Sequence, residues 1–370
     1  MLIGVPKEIK NHEYRVGLTP ESVIELVNDG NRVDIETGAG AGIDAHDDLY
    51  HAAGATIVGS SDEIFHHADM IVKVKEPQPS ERARLRPGQV LFTYLHLAPD
   101  PDQARDLVKS GAICIAYETV TGEGGSLPLL KPMSQVAGRL AIQVGAASLQ
   151  NNAGGRGVLL GGVPGIAPAK VIIIGGGDVG FNAAQMAVGL QADVTIFEQD
   201  AAVMERLSVH FGPSAKILRS THTALSDCLK TADLVVGAVL VPGAAAPKIL
   251  SRAMIKTMRR GSVLVDVAID QGGCFETSRP TTHDNPLFEV DGVVHYCVAN
   301  MPGAVSRSST YALNAATLQH TKNIAKNGWR AAMEADAHLL NGLNVAGGRI
   351  THQAVGEALG VEAMDPTRCL

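Results

Sequence analysis

The chain has 370 residues, a net charge of −7 and 45% hydrophobic side chains, enough for two domains that each bury a substantial core. With 19% of residues charged and a sequence pI near 6.0, neither disorder nor binding to nucleic acid or an anionic membrane is expected. No apolar run approaches the ~18–20 residues of a membrane span, and the opening run MLIGVPKEIKNHEYR is charged where a signal peptide needs its apolar core. The five cysteines, Cys114, Cys228, Cys274, Cys297 and Cys369, form no CxxC pair. They indicate neither a disulfide framework nor a zinc site, and a reducing, cytoplasmic setting is expected.

In chain order, Leu2–Val5 reads as a strand. Thr19-Pro20-Glu21 opens a helix, with a capping hydroxyl, a proline at the first position and an acid in the first turn, and Asp29-Gly30 ends it. Strands are predicted at 32–36, 55–58, 70–75, 89–94 and 112–116, and helices near 47–53, 61–67, 78–85 and 101–109. The alternation implies a parallel sheet covered by helices. Residues 122–132 (GEGGSLPLLKP) are a boundary rich in Gly and Pro, followed by a helix at 134–150. A second alternating series starts at Lys170, with further strands near 193–197, 215–219, 233–237, 262–266 and 293–297. The long helical stretch 308–340 fits a return to the first domain. The expected class is α/β, with two doubly wound parallel-sheet domains. The first domain is discontinuous, 1–128 with 307–370, and a dinucleotide-binding Rossmann domain, 129–306, is inserted into it.

The sharpest motif is KVIIIGGGDVGFNAAQMAVGLQADVTIFEQD. A β-branched strand, Lys170–Ile174, leads into Gly175, Gly177 and Gly180 at G-x-G-x-x-G spacing, and a helix and a second strand ending at Glu198 follow. Gly175 permits a tight turn, Gly177 lets the backbone approach a pyrophosphate, and Gly180 allows close helix–strand packing. The helix N-terminus presents free N–H groups to phosphate. Glu198 is placed to accept from ribose hydroxyls, and no Arg or Lys follows it at once, which favours NAD over NADP. A second glycine run, Thr37-Gly38-Ala39-Gly40-Ala41-Gly42, lacks the third glycine at that spacing and reads as a turn.

Four side chains could do chemistry. Arg15, between a strand and a helix, has the planar fork that suits a carboxylate; the alternative is a solvated surface charge. Lys75, at the end of the run Met70–Lys75 and stopped by Glu76-Pro77, could hold a carboxylate or polarise a carbonyl, or could simply point to water. His96 follows a strand, and a histidine side chain can both accept and donate a proton, but a hydrogen-bonded structural histidine is the common alternative. Asp270, where the strand at Val263–Asp266 runs into a glycine-rich loop, could stabilise a cationic nitrogen or act as a base, or could be a turn aspartate. Asp266 competes for that role but reads as structural.

The runs PKEIKNHEYRVGLTPE, KVKEP, LFTYLHLA, KPMSQVAGRLAIQVGA and VIIIGGGDVGFNAAQMAVGLQADVTIFE stand in order along essentially the whole chain and resemble the alanine dehydrogenase family. That family is related to the NAD-binding subunit of proton-translocating transhydrogenase. The resemblance implies reversible oxidative deamination, in which L-alanine, NAD and water give pyruvate, NADH and ammonium. It also implies a homohexamer with no nucleic-acid or membrane partner. By position, Arg15 and Lys75 resemble the family's substrate contacts, His96 its acid/base and Asp270 its second catalytic group. The cofactor positions carried over are Ser134, Asp178, Val179, Glu198, Ser220, Val239, Leu240, Val267, Ala268, Ile269, Asp270, Arg279, Val298, Ala299, Asn300 and Met301. Glu198 stands where the family usually has Asp, and Val203 where some members have Lys. Asn323 and Asn327 replace a Glu and a His with which some members hold a metal ion, so no metal is expected. Two rivals remain: a transhydrogenase-type NAD-binding subunit, against which the four residues weigh together, and a dehydrogenase for another amino acid, such as saccharopine.

Overall fold

The chain opens on β1 (Leu2–Val5), followed by β2 (Arg32–Glu36), β3 (Thr56–Val58), β4 (Met70–Val72), β5 (Val90–Thr93) and β6 (Ile113–Ala116). A second series follows: β7 (Lys170–Ile174), β8 (Asp193–Glu198), β9 (Ala215–Arg219), β10 (Leu234–Gly237), β11 (Val263–Asp266), β12 (Leu287–Val290) and β13 (Val293–Tyr296). The last strands are β14 (Leu343–Ala346) and β15 (Arg349–Ile350). The computed structural model describes residues 1–239 and 246–370. It divides into two compact units, Met1–Met133 with Gly303–Leu370, and Ser134–Pro302.

Among the described residues, the first unit holds an eight-stranded sheet in the order β15-β14-β6-β5-β4-β1-β2-β3. It is parallel from β6 to β3, while β14 runs antiparallel on β6 and β15 antiparallel on β14. Strands β4, β5 and β6 are buried throughout, as expected for parallel strands covered on both faces. Ile71, Leu91 and Cys114 pack on one face with Phe65, Leu107 and Val355. The second unit holds a seven-stranded sheet, β12-β13-β11-β10-β7-β8-β9, parallel except for β12. Its strand order reverses direction between β7 and β10, the place where open α/β sheets bind ligands beyond their carboxyl ends. The expected α/β class, with two mainly parallel sheets, is what the structure shows.

Three local expectations change. The strand predicted at 70–75 stops at Val72, because the Val74 amide turns to the Glu8 carboxylate at 2.7 Å and leaves the ladder. The helical stretch at 308–340 is broken: Ser306–Asn327 ends at Gly328, whose φ of 77° and ψ of 156° no helix accommodates, and the short helices Trp329–Glu334 and Ala337–Leu340 follow. The antiparallel strands β12, β14 and β15 were not expected. They are short, and β14 carries Asn344 in its middle, so neither length nor composition announces them.

Helix 306–327 does more than complete the first unit. Its Asn314 side chain accepts from the Thr19 amide at 3.0 Å and the Ser22 hydroxyl at 2.8 Å, and donates to the Gly17 carbonyl at 3.2 Å. Thr19, the N-cap of helix Pro20–Asn28, accepts from the Ser22 amide at 3.2 Å as its sequence predicts. The segment bearing Arg15 is therefore tied at its far end to a helix almost three hundred residues away in sequence.

Candidate active site

In the first unit, Arg15, Lys75, His96 and Glu118 follow β1, β4, β5 and β6 respectively. These four strands are parallel, and in the sheet they lie in the order β6-β5-β4-β1, so the segments leave one edge side by side. Gly17 brings the Arg15 segment closest to the sheet: a Cβ there would stand 2.4 Å from the Val72 carbonyl oxygen, so only glycine fits.

Arg15 is 2% exposed, which removes the surface-charge alternative. Its Nε and Nη2 donate to the two Glu13 oxygens at 2.7 and 2.6 Å, a bidentate pair, and its Nη1 lies 3.1 Å from Met133 Sδ. Burial opposes the guanidinium's charge, but Glu13 holds its pKa above the ordinary value. One side of the fork is thus fixed by protein.

Lys75 lies beyond the end of β4, where it is largely buried. Its carbonyl accepts from the Thr93 hydroxyl at 3.0 Å, and its ammonium stands 3.8 Å from Glu76. Glu76 also pairs with Lys10. Burial alone would raise the Glu76 pKa, but Lys75 and Lys10 outweigh it and hold the carboxyl below its ordinary value. Lys73, which the strand pattern places on the same face as Lys75, is instead fully buried in its own ion group.

His96 is exposed and has a φ of 49°, a left-handed conformation uncommon for a residue with a Cβ. Its amide donates to Glu118 Oε1 at 2.6 Å, and the Leu95 amide reaches both Glu118 oxygens at 3.2 Å. The ring stacks on Tyr94, with centroids 5.7 Å apart and planes 1° from parallel. Tyr94 is itself anchored by its hydroxyl, which donates to the Leu129 carbonyl at 2.6 Å. The imidazole therefore projects into accessible space from a backbone gripped on one side and an aromatic platform on the other.

In the second unit the glycine loop can be tested one Cβ at a time. At Gly175, φ is 99° and a Cβ would meet the Ala238 carbonyl oxygen at 2.6 Å. At Gly180 it would meet the Gly175 carbonyl oxygen at 1.8 Å, so the helix Asp178–Gly189 could not pack. At Gly177 nothing lies within 4 Å. The first two glycines are needed by the fold; Gly177 leaves open space at a helix N-terminus, where a phosphate fits. Asp178 and Val179 form the first turn of that helix.

Glu198 ends β8, and its carboxylate accepts from the amides of Gly176 at 2.7 Å, Gln199 at 2.6 Å and Asp200 at 3.1 Å. Val203 packs beside Gly176, and the Arg206 guanidinium donates to the Gly176 carbonyl at 3.1 Å. Ser220 follows β9, and Val239 follows β10. Leu240 lies outside the described residues.

Val267, Ala268, Ile269 and Asp270 form a short 3-10 turn after β11, with Asp270 exposed. Asp266 is fully buried and structural: its carboxylate accepts from the Ala268 amide at 3.1 Å, the Cys274 amide at 2.9 Å and the Ser278 hydroxyl at 2.6 Å. The Lys248 ammonium adds donations to the Gly272 and Gly273 carbonyls at 2.5 and 2.8 Å. Val298, Ala299, Asn300 and Met301 follow β13, and the Asn300 amide donates to Asp270 Oδ1 at 3.3 Å. Arg279 lies over the Phe288 ring at 4.2 Å, and Ser134 is the first residue of the unit, within helix Lys131–Ser148.

The structure thus gathers Arg15, Lys75 and His96 on one edge of the first unit, and the glycine loop, Glu198 and the Asp270 turn beyond the strand ends of the second. The sequence reading missed Glu8, Glu13, Glu118, Asn314 and Lys248. Of these Glu8, just after β1, and Glu118, just after β6, had a usable signal, their position at the carboxyl end of a parallel strand. The decoy glycine run is a turn: a Cβ on Gly40 would meet the Ala45 carbonyl oxygen at 2.3 Å, and one on Gly42 the Tyr14 carbonyl oxygen at 2.2 Å. Asn327 donates to Asn323 at 2.6 Å, an amide pair that offers a cation no carboxylate or imidazole.

The family model described as "Alanine dehydrogenase/PNT, N-terminal domain" matches residues 4–137, and the one described as "Alanine dehydrogenase/PNT, C-terminal domain" matches residues 141–353. A curated alanine dehydrogenase of Halomonas elongata is 54% identical over 99% of this chain and 98% of its own length. One of Bacillus subtilis is 51% identical over 100% and 98%. A solved L-alanine dehydrogenase superposes with a TM-score of 0.94 at 50% identity, covering 97% of this chain and 99% of its own. A transhydrogenase from Sinorhizobium meliloti shares the fold, with a TM-score of 0.81 at 23% identity, covering 96% and 100%. Matched end to end in sequence and in structure, the chain belongs to the alanine dehydrogenase/PNT family.

Proposed function

We propose that the chain catalyses the reversible NAD-dependent oxidative deamination of L-alanine: alanine, NAD+ and water give pyruvate, NADH, ammonium and a proton. The observation that carries this is the end-to-end likeness to alanine dehydrogenases, on a frame whose first unit presents an arginine, a lysine and an accessible histidine on one sheet edge. A nicotinamide cofactor fits the second unit, since the open space at Gly177 and the helix N-terminus behind it suit a pyrophosphate. When bound, it accepts the hydride that leaves the substrate Cα. Gly175, Gly177 and Gly180 shape its cradle. Glu198, held by three amides, would accept from the adenosine ribose hydroxyls and so favour NAD over a 2′-phosphorylated cofactor. The other proposed contacts are Ser134, Asp178, Val179, Ser220, Val239, Leu240, Arg279, the turn Val267–Asp270 and the segment Val298–Met301.

Arg15 and Lys75 hold the substrate carboxylate. Glu13 fixes the Nε and Nη2 side of the Arg15 fork in one orientation. Lys75 also polarises the carbonyl of pyruvate in the reverse direction. His96 takes a proton from water as it adds to the iminium carbon and returns one to the departing nitrogen. Asp270 stabilises the positive nitrogen. Oxidation requires the unprotonated amine, so deamination rises toward alkaline pH. We further propose a homohexamer in a reducing, cytoplasmic setting, in keeping with five unpaired cysteines. Among the described residues no helix is long and apolar enough to cross a membrane.

The test is NADH absorbance with the purified chain, pyruvate and ammonium. Oxidation that requires both substrates and is slow with NADPH supports the reading. NADH binding without turnover would leave a hydride-passing subunit or another amino acid.

A further inference from the structure

Beneath the Lys75 segment lies an ion group that the reaction does not use. The fully buried Lys73 ammonium donates to Glu8 at 3.0 Å and to Glu81 at 2.8 Å. The other Glu8 oxygen accepts from the Val74 amide at 2.7 Å and the Lys75 amide at 3.3 Å. Glu81 also accepts from the Gln78 amide at 2.7 Å, closing the turn that follows. Burial pushes the Glu8 carboxyl above its ordinary range despite Lys73, while Glu8 and Glu81 hold the Lys73 ammonium above its ordinary value against burial. Buried ion groups are a weak source of stability, because desolvation cancels most of the attraction; their best-attested use is to enforce one arrangement.

The arrangement enforced here is local. Three consecutive residues, 73, 74 and 75, direct a donor to one carboxylate just where the β4 ladder ends. With both its neighbour's amide and its own amide committed, Lys75 leaves the sheet in one direction. We propose that Glu8 is a positioning residue for the substrate carboxylate: it sets the backbone of Lys75, and so the place of the Lys75 ammonium, without touching substrate. The inference rests on the reading of Lys75 as a substrate cation.

The experiment compares initial rates and melting temperatures of the full chain with those of Glu8→Gln, Glu8→Asp, Lys75→Ala and the double variant Glu8→Gln/Lys75→Ala. Glu8→Gln removes the charge and keeps the shape; Glu8→Asp keeps the charge and withdraws it by one methylene. Both are expected to raise the pyruvate KM about tenfold, with kcat and the NADH KM within about twofold. Because Glu8 acts through Lys75, the double variant is expected to be no worse than Lys75→Ala alone. An unchanged pyruvate KM in Glu8→Asp, or losses that multiply in the double variant, would overturn the proposal. If Glu8→Gln does not fold, Glu8→Asp decides alone. A Lys75→Ala enzyme with an unchanged pyruvate KM would instead overturn the reading of Lys75 itself, and with it the premise for Glu8.

Discussion

The Glu118 carboxylate accepts the His96 amide hydrogen at 2.6 Å and stands 3.8 Å from His96 Nδ1. One acid thus fixes the backbone of the histidine and sits beside its ring. Glu118→Ala frees the left-handed His96 conformation to relax, and kcat is expected to fall about 10–100-fold with NADH affinity unchanged. Steady-state rates and NADH fluorescence titration check both parts.

His96→Ala removes the proposed acid/base itself. Turnover is expected to drop ~10²–10⁴-fold while NADH still binds. Full activity in this variant would take His96 out of the mechanism.

Arg15→Met takes the guanidinium away from the buried Glu13 carboxylate, and breaking a buried ion pair at one partner costs about 3–5 kcal/mol. In a unit of this size the melting temperature is expected to fall roughly 2–4 °C per kcal/mol, measurable by calorimetry. Arg15→Lys keeps the charge but lacks the fork, so the pyruvate KM is expected to rise at least about tenfold with a smaller thermal effect.

Two glycines three residues apart predict opposite outcomes. Gly180→Ala would drive a methyl to 1.8 Å from the Gly175 carbonyl oxygen, so both stability and NADH binding are expected to fall. Gly177→Ala meets nothing within 4 Å, so the melting temperature is expected to hold while NADH affinity drops by about tenfold or more. A Gly177→Ala protein with wild-type NADH affinity would move the phosphate site elsewhere.

Glu76 gives the pH dependence its sign. Its folded pKa is depressed below 4.5, so the folded state binds this proton more weakly than the unfolded chain does. The resulting stability is present above pH 4.5 and is lost as pH falls through the depressed folded value. In Glu76→Gln the acid limb of a melting-temperature profile is expected to be flatter than in the unsubstituted chain. An unchanged slope would assign the acid loss to other carboxyls.

What could be read from the sequence was whatever local spacing determines. The strand, glycines, helix and acid from Lys170 to Glu198 stand in the structure as the spacing requires, and so does the capped helix at Thr19. What could not be read is what distance in the chain conceals. Glu8 and Lys73 are 65 residues apart, Glu118 and His96 are 22 apart, and Asn314 reaches Gly17 across 297. Each partner alone looks like an ordinary polar residue. The end of β4 was misread for the same reason: alternation continues to Lys75, but the group that draws the chain out of the ladder comes from the segment after β1.

The antiparallel strand β14 has a consequence for biosynthesis. It covers β6, the strand at which the N-terminal part of the first sheet would otherwise end. A nascent chain that has emerged as far as Pro302 contains every residue of the second unit, while the open flank of β6 still waits for residues 343–346. Translation order therefore lets the inserted unit fold before the one that began first. It also leaves a bare hydrophobic strand edge until residues 343–346 emerge, and that is the interval in which a chaperone or a neighbouring nascent chain has access to it.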